Sequence, residues 1–323
     1  MKRIAVLTSG GDSPGMNAAI RAVVRSGIDQ RLDVYGVKEG FSGLIAGDWK
    51  PMSARDVGGI MQTGGTILGS ARCLEFTTPE GRNQAIEKLK TNGIEGLVVI
   101  GGNGSQTGSL ELSHLGFSVV GVASTIDNDL FGSDVTLGVD TAMNIALEAI
   151  DRLKNTGTSH HRAFLVEVMG RKSGYLALMA AIAGGAEAVL MPERNIDPEQ
   201  LAEKIAAAYD RGKPHALIIV AEGASMNATA LVRHFQEHHE RLGYELRATI
   251  LGHVQRGGNP TAFDRILATR LGAAAVKQLV AEKAGVLVGL VKGDIVHTPL
   301  ETVCSKSKPL DSELIALADV MAI

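Results

Sequence analysis

Short apolar runs rich in β-branched residues recur along the chain and predict β-strands. The clearest cover residues 4–7, 34–37, 97–100, 119–122, 164–168, 216–220, 249–251 and 286–291. Several of these runs are apolar at every position, which is typical of parallel strands that are covered by helices on both faces. Segments with helical periodicity separate them, and the clearest cover residues 17–29, 142–154, 198–209 and 262–280. Because strand and helix alternate nearly throughout, the pattern predicts an α/β protein with mostly parallel sheets.

The length of 323 residues suits about two domains. No internal repeat or obvious linker interrupts the chain, so the boundaries have to be sought at turns. One candidate is the Gly/Asp-rich turn at 138–142, and the other is the segment at 254–258. If the chain crosses between domains at both places, each lobe is discontinuous and a cleft lies between the lobes.

Glycine is the most distinctive feature of the composition, with 39 residues, and two clusters of it follow predicted strands. They lie at 8–15 and at 101–105. In doubly wound sheets, ligands bind where such loops leave the carboxyl ends of strands, and glycine lets the backbone approach a phosphate closely. Either loop alone is explained equally well by a turn that needs a positive φ. Two such loops favour phosphate binding, although neither matches the dinucleotide-binding or P-loop signature.

A polar segment, Thr125-Ile126-Asp127-Asn128-Asp129, follows the predicted strand at 119–122. Three neighbouring carboxylate or carboxamide side chains suit a hard cation and a proton acceptor, and phosphoryl transfer to a hydroxyl requires both. An Asx-rich turn that caps the next helix explains the same spacing equally well.

Further polar residues lie beside predicted strand ends in the second half of the chain. They are Met169-Gly170-Arg171, Glu222, Arg247, His253 and Arg256. Arginine suits a phosphate ester because its planar fork can donate two parallel hydrogen bonds. Each arginine taken singly is more simply a solvated surface residue, so the interpretation depends on their shared placement at strand ends.

Charge and cysteine content narrow the class of protein. Lys and Arg total 32 and Asp and Glu 35, a formal charge of −3, which argues against a dedicated nucleic-acid-binding protein. The two cysteines, Cys73 and Cys304, suit a reducing compartment. The apolar run near the start is too short for a signal peptide or a membrane span. We therefore expect a cytoplasmic protein with no nucleic-acid or membrane partner.

Seven motifs occur together, in order, along the chain. They are Thr8-Ser9-Gly10-Gly11-Asp12, Gly69-Ser70-Ala71-Arg72-Cys73, Gly101-Gly102-Asn103-Gly104-Ser105, Thr125-Ile126-Asp127-Asn128-Asp129, Met169-Gly170-Arg171, Ala221-Glu222-Gly223 and Gly252-His253-Val254-Gln255-Arg256-Gly257-Gly258. With these motifs the chain resembles, over its whole length, the bacterial-type ATP-dependent 6-phosphofructokinases.

The resemblance implies transfer of the γ-phosphoryl group of MgATP to the 1-hydroxyl of fructose 6-phosphate, which gives fructose 1,6-bisphosphate and ADP in glycolysis. It also implies the phosphofructokinase fold, with two Rossmann-like lobes whose mostly parallel sheets are covered by helices. Residues 1–138 plus 256–308 would bind ATP, and residues 139–255 plus 309–323 would bind fructose 6-phosphate in the cleft between the lobes.

The same resemblance implies a role for individual residues. ATP would be bound by Gly11, Arg72, Cys73, Gly102, Asn103, Gly104 and Ser105. Asp127 would take the proton of the sugar hydroxyl, and Thr125 would orient the transferred phosphoryl group. Arg72 and Arg171 would stabilise the charge on its oxygens. Fructose 6-phosphate would be bound by Thr125, Asp127, Arg162, Met169, Gly170, Arg171, Glu222, Arg247, His253 and Arg256. The ligands of Mg²⁺ would be Asn103 and Asp129.

Arg162 and Arg247 would come from a neighbouring subunit, so the resemblance implies a homotetramer with shared active sites. Family members often carry a second phosphate site for ADP or phosphoenolpyruvate. Its residues here would be Arg21, Arg25, Lys154, Gly185, Glu187, Arg211, Lys213 and His215. Lys154 replaces the usual arginine, and lysine lacks the bidentate fork, so regulation would be altered.

Asn103 is the main departure from the family pattern, which has aspartate there as the principal magnesium ligand. A carboxamide oxygen can coordinate Mg²⁺ but brings no charge to a cation that prefers carboxylates. One interpretation is a slower enzyme, and the other is a weakly active or regulatory paralogue.

Two further positions concern the phosphoryl donor. Pyrophosphate-dependent relatives typically have aspartate where this chain has Gly104 and lysine where it has Ser124. The resemblance therefore favours ATP and leaves a pyrophosphate-dependent enzyme as an alternative.

Overall fold

The computed structural model describes residues 1–160, 163–242 and 245–322. Its strands are β1 (Arg3–Ser9), β2 (Asp33–Val37), β3 (Trp49–Pro51), β4 (Gly96–Gly101), β5 (Ser118–Ala123), β6 (Ala163–Val168), β7 (Ala188–Leu190), β8 (Ala216–Ala221), β9 (Leu246–Ile250), β10 (Val286–Val291) and β11 (Asp294–Pro299). Its helices are α1 (Met16–Asp29), α2 (Gly40–Ala46), α3 (Pro79–Thr91), α4 (Asn103–His114), α5 (Val139–His160), α6 (Tyr175–Gly184), α7 (Pro198–Asp210), α8 (Ala228–Glu237), α9 (His239–Leu242), α10 (Ala262–Val280), α11 (Leu300–Ser305) and α12 (Ser312–Met321).

The chain forms two compact units, each made of two segments. Unit 1 comprises Met1–Thr141 and Arg256–Lys308, and unit 2 comprises Ala142–Gln255 and Pro309–Ile323. The first crossing between the units thus follows residue 141, whereas the sequence analysis places it after residue 138. None of the described helices is long and apolar enough to cross a membrane.

Among its described residues, unit 1 contains a seven-stranded sheet with the strand order β11-β10-β5-β4-β1-β2-β3. Its central strands run parallel, and β3 and β11 are antiparallel edges. From β1 the chain moves outward to β2 and β3, and then returns to β4 on the other side of β1. The strand order therefore reverses between β1 and β4, which is where open α/β sheets bind ligands.

Both faces of this sheet are covered. Along β1, Ile4 and Val6 join the apolar cluster that contains α1 and α10, whereas Ala5 and Leu7 join the cluster that contains α2 and α3. Successive side chains of a strand point to opposite faces, so burial on both sides requires apolar residues at every position. This explains why the run at 4–7 shows no alternation of apolar and polar residues.

Unit 2 contains a parallel sheet of strand order β7-β8-β6-β9 among its described residues. Its core includes Leu165, Ile218 and Val220 from the strands, packed against α7 and α8. The prediction of an α/β protein with mostly parallel sheets is confirmed in both units.

Three short or edge strands were not predicted. β3 and β7 have three residues each, and β11 is an antiparallel edge strand whose residues alternate irregularly between polar and apolar. Such strands bury too few side chains to leave a periodic pattern. The predicted strand at 249–251 is longer and begins earlier in the structure, at Leu246, and the helix predicted at 142–154 extends over Val139–His160.

Asp264 fixes the point at which the chain leaves unit 1. It lies on α10 and is fully buried. Its Oδ1 accepts a hydrogen bond from the Gly138 amide at 2.9 Å, and its Oδ2 accepts from the amide and the hydroxyl of Thr141 at 2.9 and 2.5 Å. Burial raises the pKa of this carboxyl, against the lowering influence of the Thr141 and Gly138 hydrogen bonds. The carboxylate thus satisfies the free amides at the start of α5.

Candidate active site

Three loops leave the carboxyl edge of the unit 1 sheet at the same level. The register pairs Ser9 of β1 with Gly101 of β4, and Gly101 with Ala123 of β5. The loops that follow these residues therefore start side by side, around the reversal of strand order between β1 and β4. This is the arrangement expected of a ligand site in a doubly wound sheet.

The loop after β1 depends on glycine for conformation and for space. Gly10 and Gly15 have φ of +85° and +100°, in the region that favours glycine. A Cβ atom on Gly11 would lie 2.6 Å from Nη1 of Arg256, and the same Nη1 donates to the Asp12 carbonyl at 2.8 Å. The structure therefore places Arg256, a predicted sugar-phosphate ligand, in unit 1, with its guanidinium packed on the β1 loop.

The loop after β4 opens directly into α4. Asn103 and Gly104 form the exposed first turn, and nothing lies within 4 Å of the position that a Cβ of Gly104 would occupy. A Cβ on Gly102 would lie 3.2 Å from Cβ of Thr125, so the loops after β4 and β5 approach closely. The first amides of a helix lack intrahelical partners and carry the positive end of its dipole, so this turn suits an anion.

The loop after β5 is held by Asn128. Its φ is +49°, its Nδ2 donates to the Asp134 carbonyl at 3.0 Å, and its Oδ1 accepts from the Thr136 amide at 3.1 Å. The Thr136 hydroxyl donates to the Thr125 carbonyl at 2.6 Å. The Asn128 side chain thus bonds to backbone groups of residues 134 and 136, ahead of the start of α5 at Val139, and holds the loop on itself. Asp127 is 5% exposed, and its amide donates to Oγ1 of Thr125 at 3.2 Å.

Lys308 contacts the same loop and was missed by the sequence analysis. Its Nζ donates to the carbonyls of Ser133 and Asp134, each at 2.7 Å. Burial lowers the pKa of this ammonium group to about 8, against the raising influence of the Asp134 and Asp129 carboxylates. A single lysine near the end of unit 1 belongs to no motif, so only the fold reveals its position.

The Lys308→Gln variant is expected to change how stability depends on pH. The native protein releases the Lys308 proton near pH 8, whereas the unfolded chain holds it until near pH 10.5, so raising the pH through this interval favours the native state. Denaturant unfolding between pH 7.5 and 10.5 should show a rise in wild-type stability relative to Lys308→Gln. The exposed Lys50→Gln serves as the control and should follow the wild type. Parallel curves for Lys308→Gln and wild type would contradict the assignment.

An aromatic pair lies on the face of the unit 1 sheet that α2 and α3 cover. The rings of Phe41 and Phe76 stack with centroids 4.0 Å apart, and a Cβ on Gly108 would lie 2.8 Å from Cζ of Phe41. Cys73 is half-buried and packs against this apolar cluster, whereas Arg72 beside it is exposed. Cys73 therefore has a packing role whether or not it also contacts a nucleotide.

Unit 2 brings together its own set of predicted residues, after β6 and β8. The Glu222 carboxylate accepts hydrogen bonds from the amides of Gly170, at 3.2 Å, and Arg171, at 2.6 Å. Arg171 has a φ of +51°, and a Cβ on Gly223 would lie 1.8 Å from its carbonyl oxygen. Glu222 therefore fixes the backbone of this loop, and the Arg171 side chain extends from it to an exposed position.

Three further predicted sugar-phosphate residues lie on or just after β6 and β9. Met169 is buried, and its amide donates to Oε1 of Gln255 at 2.8 Å. His253 is exposed after β9. Arg247 lies on the edge strand β9, and its Nη2 forms an ion pair with Glu245 at 2.6 Å. Arg162 lies outside the described residues.

Most of the predicted effector residues form a cluster in unit 2, namely Lys154, Gly185, Glu187, Lys213 and His215. Nζ of Lys213 lies 3.0 Å from Oε1 of the buried Glu187, and Nζ of Lys154 donates to the Gly184 carbonyl at 3.0 Å. Burial lowers the pKa of His215, against the raising influence of Glu187 and with the lowering influence of both lysines. The cluster thus concentrates positive charge around one buried carboxylate.

The three predicted effector arginines lie elsewhere in the units. Arg211 donates from Nη2 to the Ala322 carbonyl at 3.1 Å, within unit 2. Arg21 and Arg25 lie one turn apart on α1 of unit 1. Their combination into one effector site remains a prediction.

The donor set suits a magnesium ion that is shared with phosphates. Among the described residues, no three His, Cys, Asp or Glu side chains cluster as a metal site. Mg²⁺ commonly keeps several waters and binds through one or two carboxylates plus substrate phosphates. Asp129 is half-buried in the β5 loop, and Asn103 is exposed at the start of α4. These oxygens fit a cation that arrives with a nucleotide.

The family model and two relatives that match this chain are all phosphofructokinases. A family model described as phosphofructokinase matches residues 3–279. The chain is 52% identical over 325 residues to ATP-dependent 6-phosphofructokinase 1 of Thermus thermophilus, with all of both chains covered. It is also 52% identical over 324 residues to the ATP-dependent 6-phosphofructokinase of Thermotoga neapolitana, again with all of both chains covered.

A solved structure shows the same fold. The phosphofructokinase of Saccharomyces cerevisiae aligns with a TM-score of 0.88 at 39% identity, over 100% of this chain and 48% of the yeast chain. The resemblance inferred from the seven motifs is thus confirmed.

Proposed function

Because the chain belongs to the phosphofructokinase family, we propose that it transfers the γ-phosphoryl group of ATP to the 1-hydroxyl of fructose 6-phosphate. The products are fructose 1,6-bisphosphate and ADP, so the enzyme is a kinase that acts in glycolysis. The full-length identity to ATP-dependent 6-phosphofructokinases supports this reaction.

The observation that carries the proposal is the place of Asp127 in the loop after β5, which approaches the loop that opens into α4 through Thr125 and Gly102. In the proposed reaction the Asp127 carboxylate takes the proton of the sugar 1-hydroxyl as the oxygen attacks the γ-phosphorus. General bases of this kind contribute roughly 10²- to 10⁴-fold to rate. The hydroxyl of Thr125, two residues before Asp127, orients the phosphoryl group. Catalysis of phosphoryl transfer depends mainly on positioning and on stabilisation of charge.

The negative charge of the transferred group requires cationic partners. We assign Arg72 and Arg171 to its oxygens, and the amides of Gly11 and residues 102–105 to the ATP phosphates. Bound Mg²⁺ would neutralise phosphate charge in the transition state, and Asn103 and Asp129 are the residues that would hold it. We assign fructose 6-phosphate to the loop that Glu222 fixes. Its proposed ligands are Met169, Gly170, Arg171, Glu222, Arg162, Arg247, His253 and Arg256.

The test of the function is sugar-dependent ADP release. Purified protein with millimolar MgATP and fructose 6-phosphate should release ADP at a rate well above that of a control without sugar. Absence of sugar-dependent ADP would refute the proposed activity. Replacing ATP with pyrophosphate in a parallel assay of fructose 1,6-bisphosphate formation tests the alternative donor, and we expect a much lower rate with pyrophosphate.

The Asn103→Asp variant is expected to bind Mg²⁺ more tightly. A full charge near the cation is worth about 1 kcal/mol even in a water-like environment, so the Mg²⁺ concentration at half-maximal rate should fall roughly fivefold. An acidic residue in the first turn of α4 also suits the helix dipole, so stability should not fall. The measurement is initial rate against free Mg²⁺.

Asn83→Asp, which adds the same charge at an exposed position of α3, is the matched control. It should leave the Mg²⁺ requirement unchanged. A large gain in turnover for Asn103→Asp would also support the alternative of a weakly active paralogue. No change in Mg²⁺ requirement would show that position 103 does not contact the metal.

Regulation and assembly form part of the same proposal. The lysine-rich cluster around Glu187 suits a phosphate-bearing effector such as ADP or phosphoenolpyruvate. We also propose a homotetramer with shared active sites, in which Arg162 and Arg247 serve a neighbouring subunit. The free thiols of Cys73 and Cys304 suit a cytoplasmic location.

A further inference from the structure

Asn17, in the first turn of α1, contacts a long loop that is also held by β1 and by Lys38 and Glu39. The loop connects β3 to the 3₁₀ turn at Glu75–Thr77 and carries Arg72. Asn17 is 1% exposed. Its Nδ2 lies 3.2 Å from the Thr63 carbonyl, 3.0 Å from Oγ1 of Thr63 and 3.2 Å from the Gly64 carbonyl. Its Oδ1 accepts from the Ile67 amide at 2.8 Å.

Three further hydrogen bonds continue this attachment toward Arg72. The Thr8 hydroxyl, at the end of β1, contacts the Thr66 hydroxyl at 2.8 Å and donates to the Gly69 carbonyl at 2.9 Å. The Ser70 hydroxyl donates to the Gly10 carbonyl at 2.7 Å. The segment 63–70 is thus fixed to β1, its loop and α1, and Arg72 extends two residues beyond the last contact.

We propose that Asn17 is a positioning residue for phosphoryl transfer, acting through the segment 63–70 on the guanidinium of Arg72. The inference rests on the proposed function, since it takes Arg72 as a contact of the transferred group. A displacement of about 1 Å in a group that stabilises the transition state can cost 10²-fold in rate. The Asn17 carboxamide contacts the loop at Thr63, Gly64 and Ile67, so loss of these contacts should allow such a displacement.

Asn17→Asp isolates the donor function of the side chain. Aspartate has the same shape and keeps the acceptor for the Ile67 amide, but it has no N–H group. Its second oxygen would face the carbonyl oxygens of Thr63 and Gly64. The Thr63 hydroxyl already donates to the Ile60 carbonyl at 2.8 Å, so it offers no proton in exchange. Repulsion between acceptors should release the loop while the rest of α1 stays packed.

The experiment is a double-mutant cycle of Asn17→Asp and Arg72→Ala, measured as kcat and KM. Asn17→Asp alone should lower kcat about 10- to 100-fold with little change in KM, because a transition-state contact is lost. In the Arg72→Ala background it should lower kcat no more than about twofold. A role confined to stability would instead multiply the two losses. Full multiplication, or an unchanged kcat in the single variant, would overturn the proposal.

Asn92→Asp is the matched control, because this exposed asparagine also donates from Nδ2 to a backbone carbonyl, that of Lys88 at 2.8 Å. Its kcat should equal that of the wild type. If Asn17→Asp does not fold, Thr63→Val removes one acceptor of Asn17 and should give a smaller loss of kcat that also vanishes without Arg72.

Amide hydrogen exchange separates this inference from the proposed function. If wild-type protein shows no sugar-dependent ADP release, the function fails on its own assay. Exchange in residues 60–72 should still be faster in Asn17→Asp than in Asn92→Asp, which supports the attachment of the loop. Equal exchange in the two variants would overturn it.

Discussion

Asp127→Asn should lower kcat by about 10²- to 10⁴-fold, the largest effect on rate that we expect from a single substitution. The carboxamide has nearly the same shape, and the hydrogen bond from the residue 127 amide to Oγ1 of Thr125 involves only the backbone donor. What the variant loses is the ability to accept a proton from the sugar hydroxyl. The KM for fructose 6-phosphate should therefore change much less than kcat.

Asp33→Asn provides the matched control for this measurement. Asp33 is exposed at the amino end of β2, the end of the sheet opposite to the ligand loops. It undergoes the same chemical change and should keep the wild-type kcat. A rate for Asp127→Asn within about threefold of the wild type would mean that another group accepts the proton.

Asp264→Ala should give the largest loss of stability, about 3–5 kcal/mol in the free energy of unfolding. The substitution leaves the Gly138 amide and the amide and hydroxyl of Thr141 without their buried acceptor, and each such group costs about 1–3 kcal/mol. The measurement is the denaturant midpoint, with the slope of the transition compared between variants.

Asp294→Ala removes an exposed carboxylate from the start of β11 in the same unit. Its free energy of unfolding should stay within about 0.5 kcal/mol of the wild type. An equally small effect at Asp264 would show that water replaces the lost acceptor at the start of α5.

The fold was largely predictable because burial on both sheet faces makes the core strands continuously apolar. The runs at 97–100 and 119–122 correspond to β4 and β5, in which nearly every residue is buried. β7 and β11 could not be found in this way, since one is three residues long and the other is an exposed edge. Their existence depends on neighbouring strands rather than on local sequence.

The candidate site was predictable only in part, for a different physical reason. The motifs located Asp127, Arg171 and Glu222, because glycine and acidic residues cluster in the loops that follow strands. They gave no hint that Glu222 accepts the amides of the loop after β6, or that Asn17 and Lys308 hold the loops of unit 1. Contacts between residues far apart in sequence carry no local signal, so such supporting residues emerge only from the fold.

The discontinuity of unit 1 has a consequence for the order in which the protein folds during synthesis. β10 completes the sheet beside β5, and α10 completes the apolar cluster on α1, yet both follow the main segment of unit 2 in the chain. At roughly 5–20 residues per second, the ribosome needs about 6–23 seconds to synthesise that segment. Until then, the nascent chain carries an unpaired strand edge and an uncovered apolar face. We therefore expect unit 1 to stay incomplete until α10 and β10 have been synthesised, and chaperones that bind exposed apolar surface to bind it during that interval.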